Sequence, residues 1–451
     1  MRSTYAWIAH MDRCAFLIRW ADLSSLEPVN AYITSLTIAL CALSACADPA
    51  AQCIDERCPN GEACSAGACA PVAPPSTTGD LGRYTSVARH PEGALLIATY
   101  DATYRNLVLI RRDVDGDESR RVIDGWSVVD HTLQDRDRGQ WSAIAVSPSG
   151  DAHLAWYDAD DGSLRYGRLE GADLDATIEI EVVDGHGVED RGRHATLGVE
   201  SDGTVHVAYR DEAARSLRYA RRQPTGDWSV EEVPACTREP ECGDESEDYG
   251  EYADLVLIAG APRVAFYDRS RGDLKLAQRD VAGQWSVATL DGHAVERDID
   301  TGDVGRFASA AVDAKQRLGI AYYDATRGML RYIFASGATP IPVVVDDGVY
   351  VNPETGAARQ HLVGQHAELV FDPRDGAVIL YLDAGRLVVK RARLVGEQVV
   401  DRTVMTELRP GAYISATMDS TGGLVGAYGA WPAEAPGGSE LVVIGELGGT
   451  L

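Results

Sequence analysis

From Gly82 onward, apolar and polar positions alternate in short runs that return at a fixed phase. The stretch beginning at His194 shows the pattern in full. His194 to Val199 (HATLGV) is short and apolar, Ser201-Asp202-Gly203 is turn chemistry, and Thr204 to Tyr209 (TVHVAY) alternates around β-branched residues. Together they predict a hairpin. Leu217 to Ala220 (LRYA) predicts a third strand, and Trp228 to Val233 (WSVEEV), behind Thr225-Gly226-Asp227, predicts a fourth. The fourth strand recurs as Trp126-Ser127-Val128 and Trp285-Ser286-Val287. Helical periodicity is absent.

The phase is carried by a Gly, one variable residue, and an aromatic or His. These triplets end at Tyr84, Trp141, His194, Tyr252, Phe307, His366 and Tyr413, at intervals of 57, 53, 58, 55, 59 and 47 residues. Some seventeen residues later six copies carry an Asp, usually behind a Tyr: Asp101, Asp158, Asp211, Asp268, Asp324 and Asp383. A Leu follows shortly, as in Leu164-Arg165-Tyr166 and Leu330-Arg331-Tyr332. Four short strands in each of seven copies predict an all-β, seven-bladed β-propeller with four-stranded antiparallel blades over residues 82–451. A β-sandwich would not return the same residue types at fixed phase, and an open solenoid would need polar capping repeats. The last copy ends after Leu441 to Ile444 with no evident fourth strand. The segment Thr78 to Arg83 is a candidate for closing the ring.

The run Gly302-Asp303-Val304-Gly305-Arg306-Phe307-Ala308-Ser309, with Ala321-Tyr322-Tyr323-Asp324 and Leu330-Arg331-Tyr332, resembles the repeat of extracellular bacterial and archaeal propellers of Tyr-Tyr-Asp and Leu-Lys-Tyr type. That resemblance implies a scaffold and leaves the chemistry open. Composition narrows the partners. The chain has 69 Asp and Glu against 42 Lys and Arg, a formal net charge of −27, and only three lysines. Such a polyanion repels phosphate backbones, so nucleic acid is not an expected partner.

The first 81 residues read differently. Ala31 to Ala45 is apolar, uncharged and too short to cross a bilayer, as a signal peptide is (residues 1–45). Acidic residues directly before it fit a start assigned too early. Its end, Leu43-Ser44-Ala45-Cys46, resembles the lipobox of bacterial lipoproteins, which implies lipid on Cys46 and anchoring in the cell envelope, facing the periplasm or exterior. Cys53, Cys58, Cys64 and Cys69 lie in a Gly-containing stretch with little to pack, so residues 46–69 are expected to be held by disulfides of undetermined pairing. The stretch resembles small Cys-rich modules that follow lipoboxes. Residues 70–81, rich in Pro, Ser and Thr, form a linker. Cys236 and Cys242 are expected to form a disulfide that pins one propeller loop.

Candidate chemistry lies where the repeat breaks. A residue present in nearly every blade has a job every blade needs. The Asp column is therefore read as accepting N–H bonds from the turn that follows it. The aromatic column (Tyr84, Trp141, His194, Tyr252, Phe307, His366, Tyr413) is read first as packing and second as a platform for a glycan. Two residues further on, the copies carry Ser86, Ala143, Thr196, Asp254, Ser309, Glu368 and Ser415, a small column that two carboxylates interrupt. Asp254 and Glu368 flank the blade of Arg306. Either each pairs with a nearby Arg, or the two face a shared pocket as acid and base of a propeller glycoside hydrolase or lyase, with Arg306 orienting substrate. The preferred reading is a binding or scaffold lipoprotein, not an enzyme, whose loop face or channel mouth takes a glycan, peptide or protein. No cofactor or metal is expected. Asp113 to Glu118 (DVDGDE) resembles part of a calcium loop without its terminal ligand, and the Asp-His pairs at His131, His186 and His293 lack a second ligand at metal spacing.

Overall fold

The computed structural model describes residues 62–65, 68–71, 79–129, 132–237, 247–294, 299–335, 340–374, 376–405, 412–419, 421–430 and 440–445. Two compact units are distinguished, one of residues 1–72 with 128–132 and the other of residues 73–127 with 133–451. In the first, Glu62–Ser65 and Ala68–Pro71 pair as a hairpin in which Cys64 stands opposite Cys69. Cys46, Cys53 and Cys58 lie outside the described residues.

The second unit is the seven-bladed propeller. Blade 1 consists of Arg83–Arg89, Leu95–Asp101, Asn106–Arg112 and Glu118–Asp124, hydrogen-bonded in that order from the innermost strand outward. The innermost strands of blades 2 to 7 are Arg138–Val146, Arg191–Val199, Tyr249–Ile258, Val304–Val312, Val363–Asp372 and Ser415–Met418. Six blades have four antiparallel strands. The seventh has three among the described residues, ending with Glu440–Ile444. One expected strand is displaced. In blade 1 a tight turn, closed by Gly116 N–H on the Asp113 carbonyl, puts Glu118–Asp124 directly beside the third strand, so Trp126–Val129 is a separate short strand. The DVDGDE run forms that turn, with Asp113 also held by Arg111.

No blade has a core of its own. Each of the seven apolar clusters lies between two neighbouring blades. The cluster joining blade 7 to blade 1, which contains Leu81, Val87, Leu95, Ile97, Val425 and Ala427, closes the ring. The stretch before Arg83 thus closes the ring by packing: Gly82 lies against Gly429 of blade 7. Burying each of these Leu, Ile and Val side chains is worth about 1.5–3 kcal/mol, and it is realised only when the neighbouring blade is present.

The sequence signature sets the joints. A Cβ on Gly305 would lie 2.7 Å from the Leu274 Cα of the preceding blade, and Gly139, Gly192, Gly250 and Gly364 approach Leu107, Leu164, Leu217 and Leu330 in the same way. The Gly is therefore required by close approach as well as by its φ of about +100°. The last Asp of a fourth strand binds across the joint to the first aromatic of the next blade's Tyr-Tyr-Asp and to the cation after its Leu. Asp291 accepts from Tyr322 at 2.6 Å and from Arg331 at 3.1 Å, Asp184 and Asp346 do likewise with Tyr209 and Arg218 and with Tyr381 and Lys390, and Asp124 accepts from Trp156 with the Arg165 guanidinium 3.9 Å away. Between blades 3 and 4, Lys275 instead donates to the Ala235 carbonyl.

Candidate functional site

The six column aspartates take the role expected of them. Each accepts backbone N–H bonds from its following turn, such as Thr103 and Tyr104 on Asp101 and Arg327 on Asp324. In blades 2 to 6 each also binds a cation.

At the start of the innermost strands the seven aromatic-column residues form an unbroken belt. Consecutive ring centroids are 4.4–5.6 Å apart around the whole circle, including Tyr413 to Tyr84 at 4.6 Å. Neighbouring planes differ by 41–67°, which brackets the one-seventh turn, about 51°, of a seven-bladed ring. The rings therefore stand like paddles, each lying between its two neighbours. All seven residues have φ between 48° and 66°, a left-handed conformation seldom adopted by such bulky residues and held here by a bulge in every first strand pair of blades 1 to 6. Burial keeps the two belt histidines neutral, lowering His194 to about 3 and His366 to about 4.

Next to the belt lies an axial cavity of about 350 Å³, lined by hydroxyls and by Asp254 and Glu368. Its residues complete a second circle. At position three after the aromatic, each strand presents an N–H to the small-column residue of the preceding blade. Ser86 accepts from Ile144 at 3.1 Å, Thr196 from Leu255 at 3.1 Å, Asp254 from Ala310 at 2.7 Å, Ser309 from Leu369 at 2.9 Å, Glu368 from Ala416 at 3.1 Å and Ser415 from Val87 at 3.2 Å. Ala143 is the one gap, facing Leu197. The two carboxylates thus do the work of a hydroxyl. Neither forms an ion pair among the described residues, so the expected Arg partners are not there.

Each carboxylate stands between two hydroxyls. Thr196 donates to Asp254 at 3.1 Å, Ser415 donates to Glu368 at 3.3 Å, and Ser309, with a single proton, reaches both. Burial raises Asp254 to about 6 against the opposing pull of the Ala310 N–H and the Thr196 hydroxyl. Burial and then the Asp254 charge raise Glu368 to about 8. At neutral pH the pair therefore carries one proton. Arg306 is turned elsewhere: its guanidinium holds Asp303 at 2.6 Å and lies over the Tyr267 ring. Arg83 and Arg193 likewise hold Asp80 and Asp190. His186 pairs with Asp161, the His293 N–H binds Asp273, and His131 lies outside the described residues. Among the described residues no three His, Cys, Asp or Glu side chains are grouped to hold a metal. Cys236 is disulfide-bonded, and Cys242 lies outside the described residues.

No protein-family model matches the chain, and no curated protein matches its sequence. Solved structures similar in shape include the polysaccharide lyase Uly1, 11% identical over 88% of this chain and 95% of that one, with a TM-score of 0.46. They also include the β-propeller domain of Cps50 from Myceliophteria thermophila, 8% identical over 77% and 93%, TM-score 0.45, and a Dyadobacter fermentans protein of unknown function, 13% identical over 72% and 94%, TM-score 0.42. Likeness of this degree belongs to the architecture and carries no chemistry.

Two outcomes follow from the second circle. Ala143→Ser supplies the missing acceptor for Leu197 and is expected to stabilise the ring by about 0.5–1.5 kcal/mol; an unchanged or lower denaturation midpoint would refute the role given to this column. Asp254 and Glu368 hold their protons more tightly folded than unfolded. Their contribution is complete below pH 4 and is lost as pH rises through about 6 and about 8. Between about pH 5 and pH 9 the melting temperature of the wild type should fall more steeply than that of Glu368→Gln, and parallel curves would contradict the assignment.

Proposed function

We propose that the protein is a binding or scaffold propeller of the bacterial cell envelope, carried on lipid at Cys46 and a Cys-rich stalk, with a glycan, peptide or protein held at its loop face. The observation that carries this reading is the use of the interior: each belt ring lies between two others, and every oxygen of Asp254 and Glu368 accepts a hydrogen bond from within the ring. What differs from blade to blade is the connection from a fourth strand to the next first strand. The connection into blade 6 carries a hairpin of Val349–Val351 and Ala358–Gln360. It is held by Tyr350 stacked on His361 at 5.2 Å, while Val349 and Val351 are exposed. A rigid hairpin with uncovered apolar side chains is what a docking element requires.

One observation favours a second reading, a glycoside hydrolase or lyase. Two carboxyls sharing one proton within one cavity suit general acid and base work near neutral pH.

Glycan and peptide arrays with the protein from residue 46 onward test both. A retained ligand is expected whose affinity falls at least tenfold in Val349→Asp with Val351→Asp, at unchanged melting temperature. If a retained glycan is instead turned over, and Asp254→Asn with Glu368→Gln abolishes turnover, the enzyme reading replaces the first. The anchor is read separately, by growth with a fatty-acid analogue: label is expected on the wild type and not on Cys46→Ala, and equal label on both would remove the anchor.

A further inference from the structure

The repeat serves as its own control at the Asp column. In blades 2 to 6 the residue after the third-strand Leu, or after Val389 in blade 6, is a cation, and Arg165, Arg218, Lys275, Arg331 and Lys390 lie 2.6–3.9 Å from the column Asp of their own blade. Blade 1 has Val108 there, and it has Leu81 where blades 2 and 3 supply a second cation, Arg138 and Arg191. Val108 and Leu81 both belong to the apolar cluster between blades 7 and 1.

Asp101 is nonetheless present, and it is 0% exposed. Its Oδ1 accepts the N–H groups of Thr103 and Tyr104, and the Gly79 N–H lies beside the carboxyl, but among the described residues Oδ2 has no partner in hydrogen-bond geometry. No cation pairs with it among the described residues, and nearby Asp80 adds a like charge. Directly across the ladder stands Asn106, 1% exposed, with neither its amide oxygen nor its amide nitrogen partnered among the described residues. Cross-strand partners share a face, with Cβ atoms roughly 4.5–5.5 Å apart. Blade 4 shows the same pair with its cation in place: Asp268 and Asp273 occupy the two positions, and the Lys275 ammonium lies 2.6 Å from Asp268.

A buried carboxylate with an unused oxygen, beside an amide with an unused oxygen, is a pair of hard donors without the positive charge that would offset their burial. Blades 2 to 6 supply a singly charged side chain at that point. A divalent ion would require more negative charge than one carboxylate provides. We propose that Asp101 and Asn106 bind a monovalent cation of the size of Na⁺, which takes the place of the arginine or lysine of the other blades.

The full chain is melted in sodium chloride and in choline chloride at equal ionic strength, choline being too bulky for a closed site. Sodium is expected to raise the melting temperature saturably, as a ligand of the folded state does. Val108→Lys, which brings its own ammonium to Asp101, is expected to raise the melting temperature in choline and to erase the sodium increment. Equal melting of the wild type in both salts, or a full increment retained in Val108→Lys, would overturn the proposal. If Val108→Lys does not fold, sodium NMR of the wild type decides: line broadening that is lost in Asp101→Asn supports the site, and broadening that persists there, or is absent from the wild type, overturns it.

Discussion

Six of the seven innermost strands of this ring each give one backbone N–H to a side-chain acceptor of the neighbouring blade. A buried donor left unpaired costs about as much as several ordinary contacts gain, so each blade depends on the one before it. This dependence explains why two carboxylates persist in a column of hydroxyls. They accept the same N–H as a serine would, and they bring a charge that the surrounding hydroxyls and one retained proton must accommodate.

Outside that circle the same logic repeats at larger radius. Apolar clusters lie only at joints, and the buried ion pairs cross joints too, running from the Asp that ends one blade to the aromatic and the cation of the next. Such pairs add little net stability over an apolar replacement, because burial of the charges offsets most of their attraction. Their effect is geometric. A bidentate guanidinium held by two carboxylates fixes how one sheet is rotated against its neighbour, and the belt of seven rings closes only when all seven rotations agree.

Much of this was legible in the sequence, and the residues that were not share a cause. The Gly-x-aromatic triplets and the Asp that follows them announced seven copies because close approach and turn capping are local demands that restrict residue type wherever they occur. Alternation around Val205 to Tyr209 gave the hairpins for the same reason. The partner of a side chain is another matter when it sits a whole blade away. The repeat phase offered a shared pocket for Asp254 and Glu368, but nothing near Glu368 in sequence reveals that Ser309 links the two, and nothing near Arg306 reveals that its guanidinium lies over Tyr267 of the preceding blade. The Trp126-Ser127-Val128 run misled because a Trp-Ser-Val motif looks the same whether or not a turn has already supplied the fourth strand.

The joint between blades 3 and 4 has a wider meaning for how the chain assembles. There a lysine meets a carbonyl oxygen, and Phe266 stands where the other joints have a hydroxyl or an indole N–H. A protein built from near-identical modules risks having two of them exchange places during synthesis, since their apolar faces are interchangeable. Here an exchanged module would carry its arginine to a neighbour with no carboxylate, or leave a carboxylate facing phenylalanine, and either error strands a charge away from water. The unlike joint acts as an address for the two modules that meet there and fixes their place in the ring.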